Sequence, residues 1–156
     1  MPFFNLPIRT QKPMASEKIA IGQGGEALVQ QYLLQQGWQI HQTNWHSRWG
    51  EIDIIAQCDR TLAFVEVKTR KRFHEVKALP TGWDAGGVLA VSLSKQEKLI
   101  KTAVLFLMEN LELNELNCRF DIALVGYSLN RITKESKYNF LLQDYLENAF
   151  IPENTY

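Results

Sequence analysis

The sequence predicts one mixed α/β domain: a helix, three strands, a second helix, then one or two strands. Three observations carry that reading. Two segments, near residues 26–36 and 95–108, repeat apolar side chains at helical spacing. Runs rich in Ile, Val and Phe at 51–56, 61–68 and 118–125 alternate with the period of a strand. The chain has 156 residues, enough for one core and little more.

Composition narrows the class. Apolar residues make up 46% and charged residues 22%, a folded rather than a disordered balance. The longest apolar run, Ala103 to Met108, is six residues, too short to span a bilayer. Pro2 and Pro7 interrupt an N-terminus without the apolar stretch of a signal peptide. Cys58 and Cys118 form neither a disulfide framework nor a zinc spacing. A cytoplasmic protein, with no membrane partner and no structural metal, is expected. Net charge is zero, which excludes bulk histone-like binding of nucleic acid, but the halves differ. Residues 1–78 carry ten basic and seven acidic side chains; residues 79–156 carry seven and ten. The basic excess centres on Lys68-Thr69-Arg70-Lys71-Arg72, which is either a solvated loop or a local field for an anionic ligand.

Residues 1–15, with Pro2, Pro7 and Pro13, read as a flexible arm; residues 16–156 read as one domain. A helix is predicted over Ser16–Gln36. Gly22, Gly24 and Gly25 weaken its start, Leu28, Val29, Tyr32 and Leu33 share one arc, and Gly37 closes it. Strands follow at Trp38–Asn44, Glu51–Ala56 and Thr61–Lys68, the last two joined as a hairpin by Gln57-Cys58-Asp59-Arg60. A long loop at about 71–93 carries Pro80, Gly82, Gly86 and Gly87. Ser94-Lys95-Gln96-Glu97 reads as a capping box starting a helix at Lys95, with Leu99, Ile100, Ala103, Val104, Leu107 and Met108 as its buried face. In a strand at Cys118–Val125, Phe120, Ile122 and Leu124 oppose Asp121, Ala123 and Val125, and Asp121 is placed to hold Arg119 or a loop. Tyr138–Leu142 reads as a fifth strand and Asp144–Ala149 as a short last helix.

The chemistry gathers in the hairpin. Alternation puts Leu62, Phe64, Glu66 and Lys68 on one face, and Glu51, Asp53 and Ile55 together opposite Ile52 and Ile54. A symmetric four-residue join sets Asp53 opposite Phe64 and diagonal to Glu66, with Cβ atoms roughly 7–8 Å apart. Two carboxylates and one ammonium then converge. Like charges need a counter-charge in a low-dielectric spot, and oxygen ligands alone suit Mg²⁺ or Mn²⁺. The plainer alternative is a salt-bridged pair at an open strand end. Glu26, at the edge of the first helix's apolar arc, either completes an all-oxygen site or is an ordinary boundary residue.

Gly25-Glu26-Ala27, Tyr32-Leu33, Asn44-Trp45, Gly50-Glu51-Ile52-Asp53-Ile54-Ile55-Ala56 and Phe64-Val65-Glu66-Val67-Lys68-Thr69-Arg70 resemble the YraN family of bacterial proteins. Lys95-Gln96, Arg119-Phe120-Asp121-Ile122 and Glu147-Asn148-Ala149-Phe150 also fit. The resemblance covers most of residues 22–150. That family is in turn similar to restriction-endonuclease-like nucleases of the PD-(D/E)xK type, especially archaeal Holliday-junction resolvases. The resemblance implies a restriction-endonuclease-like single domain, its mixed β-sheet flanked by helices. It implies a Mg²⁺-dependent nuclease cutting DNA (rather than RNA), on branched or flapped structures. It places metal ligands on Asp53, Glu66, Glu26 and the Val67 carbonyl, and catalysis on Asp53, Glu66, Lys68 and Glu26. Arg48, Arg70, Lys71 and Arg72 would contact flanking phosphates. Two departures stand out: Ile52 where the superfamily name has proline, and a region Phe73–Ser92 longer than the family's loop.

Other residues stay open. Glu51 is either a further ligand or half of an ion pair with an arginine. Trp45 and Trp49 either pack or stack on an unpaired base, and His41, His46 and His74 default to the surface. Gly22-x-Gly24-Gly25 lacks the lysine of a phosphate loop. The alternative function is a non-catalytic nucleic-acid-binding or assembly protein that keeps the fold. Small size and neutral charge also suit a homodimer that adds binding surface.

Overall fold

A computed structural model describes residues 13–72, 91–133 and 135–152. Most of the expected arm and of the expected loop at 71–93, with His74, lies outside the described residues. The order is α1 (Ala15–Gln35), β1 (Gln39–Ser47), β2 (Gly50–Cys58), β3 (Thr61–Lys71), α2 (Leu93–Glu109), a 3₁₀ turn (Leu111–Leu113), β4 (Asn117–Leu129) and β5 (Tyr138–Phe150). The strands form one sheet in the order β1-β2-β3-β4-β5. Only β3 and β4 run parallel, and α2 lies on the crossover between them. This is the mixed α/β architecture the sequence predicts. Among the described residues, no helix is long and apolar enough to cross a membrane.

Each face of the sheet buries one helix. Ile21, Gly25, Val29 and Leu33, four residues apart, form the buried stripe of α1. Val29 and Leu33 pack with Ile54, Ala56, Ala63, Val65, Ala123 and Val125. The opposite core joins Leu99, Ala103 and Phe106 of α2 to Ile52, Ile55, Leu62, Phe64, Phe120, Ile122 and Leu124. The alternation predicted for β4 therefore holds, with Asp121 on the α1 side. The glycines of α1 do more than weaken it. A methyl group at Gly25 would run into the Thr69 hydroxyl, and one at Gly24 into the Phe140 ring. Their absence lets α1 lie close over the end of β3.

The structure corrects several expectations. α2 starts at Leu93, not Lys95, and its cap is Ser92, whose Oγ accepts from the Lys95 N–H at 3.2 Å. Its buried face is rotated: Thr102 and Phe106 are buried, while Val104 and Met108 are exposed. Thr102 tolerates burial because its hydroxyl meets Ser47 Oγ at 3.1 Å. The hairpin turn is the two residues Asp59-Arg60, since Cys58 pairs with Thr61 and Ile55 with Phe64. Asp59 supplies the left-handed φ of 49° that so tight a turn requires.

The expected last helix at Asp144–Ala149 is strand, part of a single β5 paired along β4. Two register shifts hide it from the sequence, one at Leu124/Val125 and one at Phe120/Ile122. Each inserts extra residues into β5, so its apolar side chains lose the period of two. The second is pinned by Asp121, which accepts the N–H of Asn148, itself at φ 50°.

Candidate active site

The β2–β3 ladder runs from Cys58–Thr61 to Ile54–Val65 and no further. Carrying that register one step on brings Asp53 level with Glu66, rather than diagonal to it. Past the ladder's end β2 turns: Ile52 reaches the same core as Ile55, not that of Ile54 as alternation requires. Asp53 Oδ2 accepts the Val67 N–H at 2.7 Å, so the side chain closes the gap that the ladder leaves. Asp53 and Glu66 are both buried, at 7% and 4% exposure, which decides that bulk water does not solvate either charge.

Glu66 carries two lysines. Lys68 Nζ lies 2.9 Å from Oε1, and Lys95 Nζ, from the first turn of α2, lies 3.2 Å from Oε2. Both contacts are ion pairs, and Oε2 is enclosed with no hydrogen-bond partner among the described residues. Burial pushes the Asp53 carboxyl up to about 7, and the neighbouring charges of Glu66 and Glu26 push the same way. The Val67 hydrogen bond and the charge of Lys95 oppose them and do not win. Glu26 stands beside this pair, its carboxylate accepting from Asn44 Nδ2 at 3.0 Å. Asn44 is held at φ 50°, within β1.

Among the described residues, no three His, Cys, Asp or Glu side chains are grouped as a ready-made metal cage. The structure thus brings together Asp53, Glu66 and Lys68, with Glu26 alongside but engaged to Asn44. A cleft of about 470 Å³ opens next to them between α1 and the end of β3. Glu26, Val67, Lys68, Arg70 and Lys71 line it, and so do Lys18 and Tyr127. Four basic side chains and one acid therefore line it.

The other predicted phosphate contacts lie elsewhere. The stem of Arg72 crosses Gly126, where an added methyl would collide with it, and Arg72 borders a separate depression with Lys71 and Arg131. Arg48 sits in the β1–β2 turn, its guanidinium 5.2 Å from the exposed Trp49 ring. Lys101 of α2 lies 4.9 Å from the same ring. Trp45 packs edge-on against Phe106 at 5.4 Å. Glu51 pairs with His46 at 2.8 Å rather than with an arginine, and His41 meets Gln57 at 2.8 Å. Cys58 and Cys118 are free.

Sequence reasoning missed Lys95 as a site residue, and also Lys18 and Asn44. The Lys95-Gln96 match carries no hint of a partner: Lys95 reaches Glu66 only because α2 crosses back over the sheet. Gly25 was a usable signal, since a glycine inside a helix implies a close neighbour.

A family model described as "Uncharacterised protein family UPF0102" matches residues 25–125. A UPF0102 protein of Synechococcus sp. (strain JA-3-3Ab) is 47% identical over 130 residues, covering 83% of this chain and 90% of its own. One from Acaryochloris marina (strain MBIC 11017) is 41% identical over 158 residues, covering 86% and 92%. One from Synechococcus elongatus is 36% identical over 129 residues, covering 83% and 85%. The matched span contains Glu26, Asp53, Glu66, Lys68 and Lys95. The chain belongs to the UPF0102 family.

Proposed function

We propose that this protein is a Mg²⁺- or Mn²⁺-dependent endonuclease that hydrolyses phosphodiester bonds in DNA, branched or flapped forms included. Its sheet is read as the restriction-endonuclease-like arrangement that the PD-(D/E)xK resemblance implies. The observation that carries this is the buried pair Asp53 and Glu66, with Lys68 on Glu66, opening beside a cation-lined cleft.

The residues fit a hard divalent cation. Burial raises the Asp53 carboxyl to about 7, with the charges of Glu66 and Glu26 adding to it, and Glu66 Oε2 is buried without a hydrogen bond among the described residues. All available donors are oxygens, the set that Mg²⁺ and Mn²⁺ take. Asp53, Glu66, the Val67 carbonyl and Glu26 would hold the ion. When bound, such an ion polarises a phosphate oxygen and acidifies water. The protein's own groups do the rest. Lys68, already fixed against Glu66 at 2.9 Å, offers its ammonium to the negative charge that builds on the attacked phosphate. Lys18, Arg70 and Lys71 anchor flanking phosphates, which sets position but reads no bases.

The test is cleavage of linear, flapped and four-way DNA by purified protein in Mg²⁺ or Mn²⁺. Nicking by the wild type that is lost in Asp53→Asn and in Lys68→Ala supports the enzyme. Retained DNA binding without cleavage of any substrate in either metal replaces it with the non-catalytic binding reading.

A further inference from the structure

Two lysines serve Glu66, and they come from different elements. Lys68 comes from the same strand, two residues on, and sits at 2.9 Å from Oε1. Lys95 comes from another element. Its backbone N–H is held by the Ser92 cap, which anchors the main chain. Its ammonium stands 3.2 Å from Oε2, near enough for a strong charge interaction, yet that oxygen gains no hydrogen bond. Its side chain is 30% exposed, as is that of Lys68. Asp53 also feels the charge of Lys95. An ammonium that neutralises two buried carboxylates without a directional bond does the work expected of a loosely held cation.

We propose that Lys95 is the resident counter-cation of this site: it stands in for part of the divalent charge in the metal-free protein and turns to a substrate phosphate when the ion is bound. The inference rests on the metal-site reading above. Lysine suits the task because its charge is compact and its stem has four carbons, so the head relocates without backbone change. A divalent ion held by Glu66 would repel the Lys95 ammonium.

The test begins with calorimetric titration of MnCl₂ at pH 8 into wild type, Lys95→Met and Lys95→Arg, each checked for a cooperative thermal transition above the titration temperature. Loss of the competing charge tightens Mn²⁺ binding by about tenfold in Lys95→Met, and Lys95→Arg returns it toward wild type. The second arm measures affinity for a DNA duplex in Mn²⁺ in a Lys68→Ala background. There, Lys95→Met lowers affinity and reduces the slope of log affinity against log salt by about one. Equal or weaker Mn²⁺ binding by Lys95→Met overturns the counter-cation role, and an unchanged salt slope overturns the phosphate contact. Failure of the wild type to take up Mn²⁺ is a different result: it removes the metal site itself and this inference with it. Lys95→Gln replaces Lys95→Met in both arms if the latter does not fold.

Discussion

Asp53 and Asp121 are both enclosed acids on central strands, and they are treated in opposite ways. Asp121 is 1% exposed and fully engaged. It accepts from Tyr145 Oη at 2.8 Å, from Arg119 Nε at 3.1 Å and from the Asn148 N–H at 2.9 Å. Arg119 lies 5.0 Å from the Trp38 ring centroid and also pairs with Glu147 at 3.1 Å. Asp53 has the Val67 N–H, a second carboxylate beside it and a third within electrostatic reach. Burial raises both acids, but at Asp121 it meets three donors that pull the other way. At Asp53 the like charges add to it. A buried carboxylate with a full set of donors holds a fold together; one with a single donor and like charges beside it is the kind of group the proposed cation site needs.

That contrast breaks most sharply at Asp121. Asp121→Ala strands Arg119 and Tyr145 and releases the β5 bulge, so it should cost about 3–5 kcal/mol of stability in denaturant unfolding. It should leave metal binding unchanged in whatever fraction folds. Asp53→Asn removes a repelled charge, so at pH 8 the metal-free protein should gain about 1 kcal/mol or lose nothing. Equal losses for the two would erase the distinction.

The pH dependence follows from the same raised carboxyl. Asp53 holds its proton to about 7 in the folded chain against an ordinary value of 3.8. The folded state therefore binds more protons between those limits, and its contribution to stability is full below the lower limit. It is lost as pH rises through about 7, at up to about 1.4 kcal/mol per pH unit. Thermal unfolding of metal-free wild type and Asp53→Asn should diverge over this window, the variant showing the shallower fall. Parallel curves would place the proton elsewhere.

Gly25→Ala tests how α1 is seated. The added methyl meets Thr69, so a loss of about 1–3 kcal/mol is expected, with partial recovery in a Gly25→Ala/Thr69→Ala double variant. The smallest effect belongs to the cleft. Lys71→Ala should weaken DNA binding by severalfold or less and lower its salt slope by about one, irrespective of sequence.

Much of this was legible before the fold. The alternation of Phe64, Glu66 and Lys68 placed an acid and an ammonium on one strand face, and the hairpin brought Asp53 to them. The register was off because Gln57 and Cys58 were read as turn, whereas Asp59 alone carries the left-handed residue. The end of β5 was illegible for a different reason: bulges at two points destroyed the period that marks a strand. Lys95 was invisible because its link to Glu66 depends on where a crossover helix lands, which no local pattern records. The phase of α2 slipped because Thr102 looks polar until Ser47 is beside it.

One experiment bears on all of this: calorimetric titration of Mn²⁺ at pH 8 into the wild type, Glu66→Ala and Asp121→Asn. The wild type and Asp121→Asn should bind alike, and Glu66→Ala should bind at least about tenfold more weakly. Equal binding by Glu66→Ala, or none by the wild type, would mean that the paired acids between β2 and β3 are not a cation site.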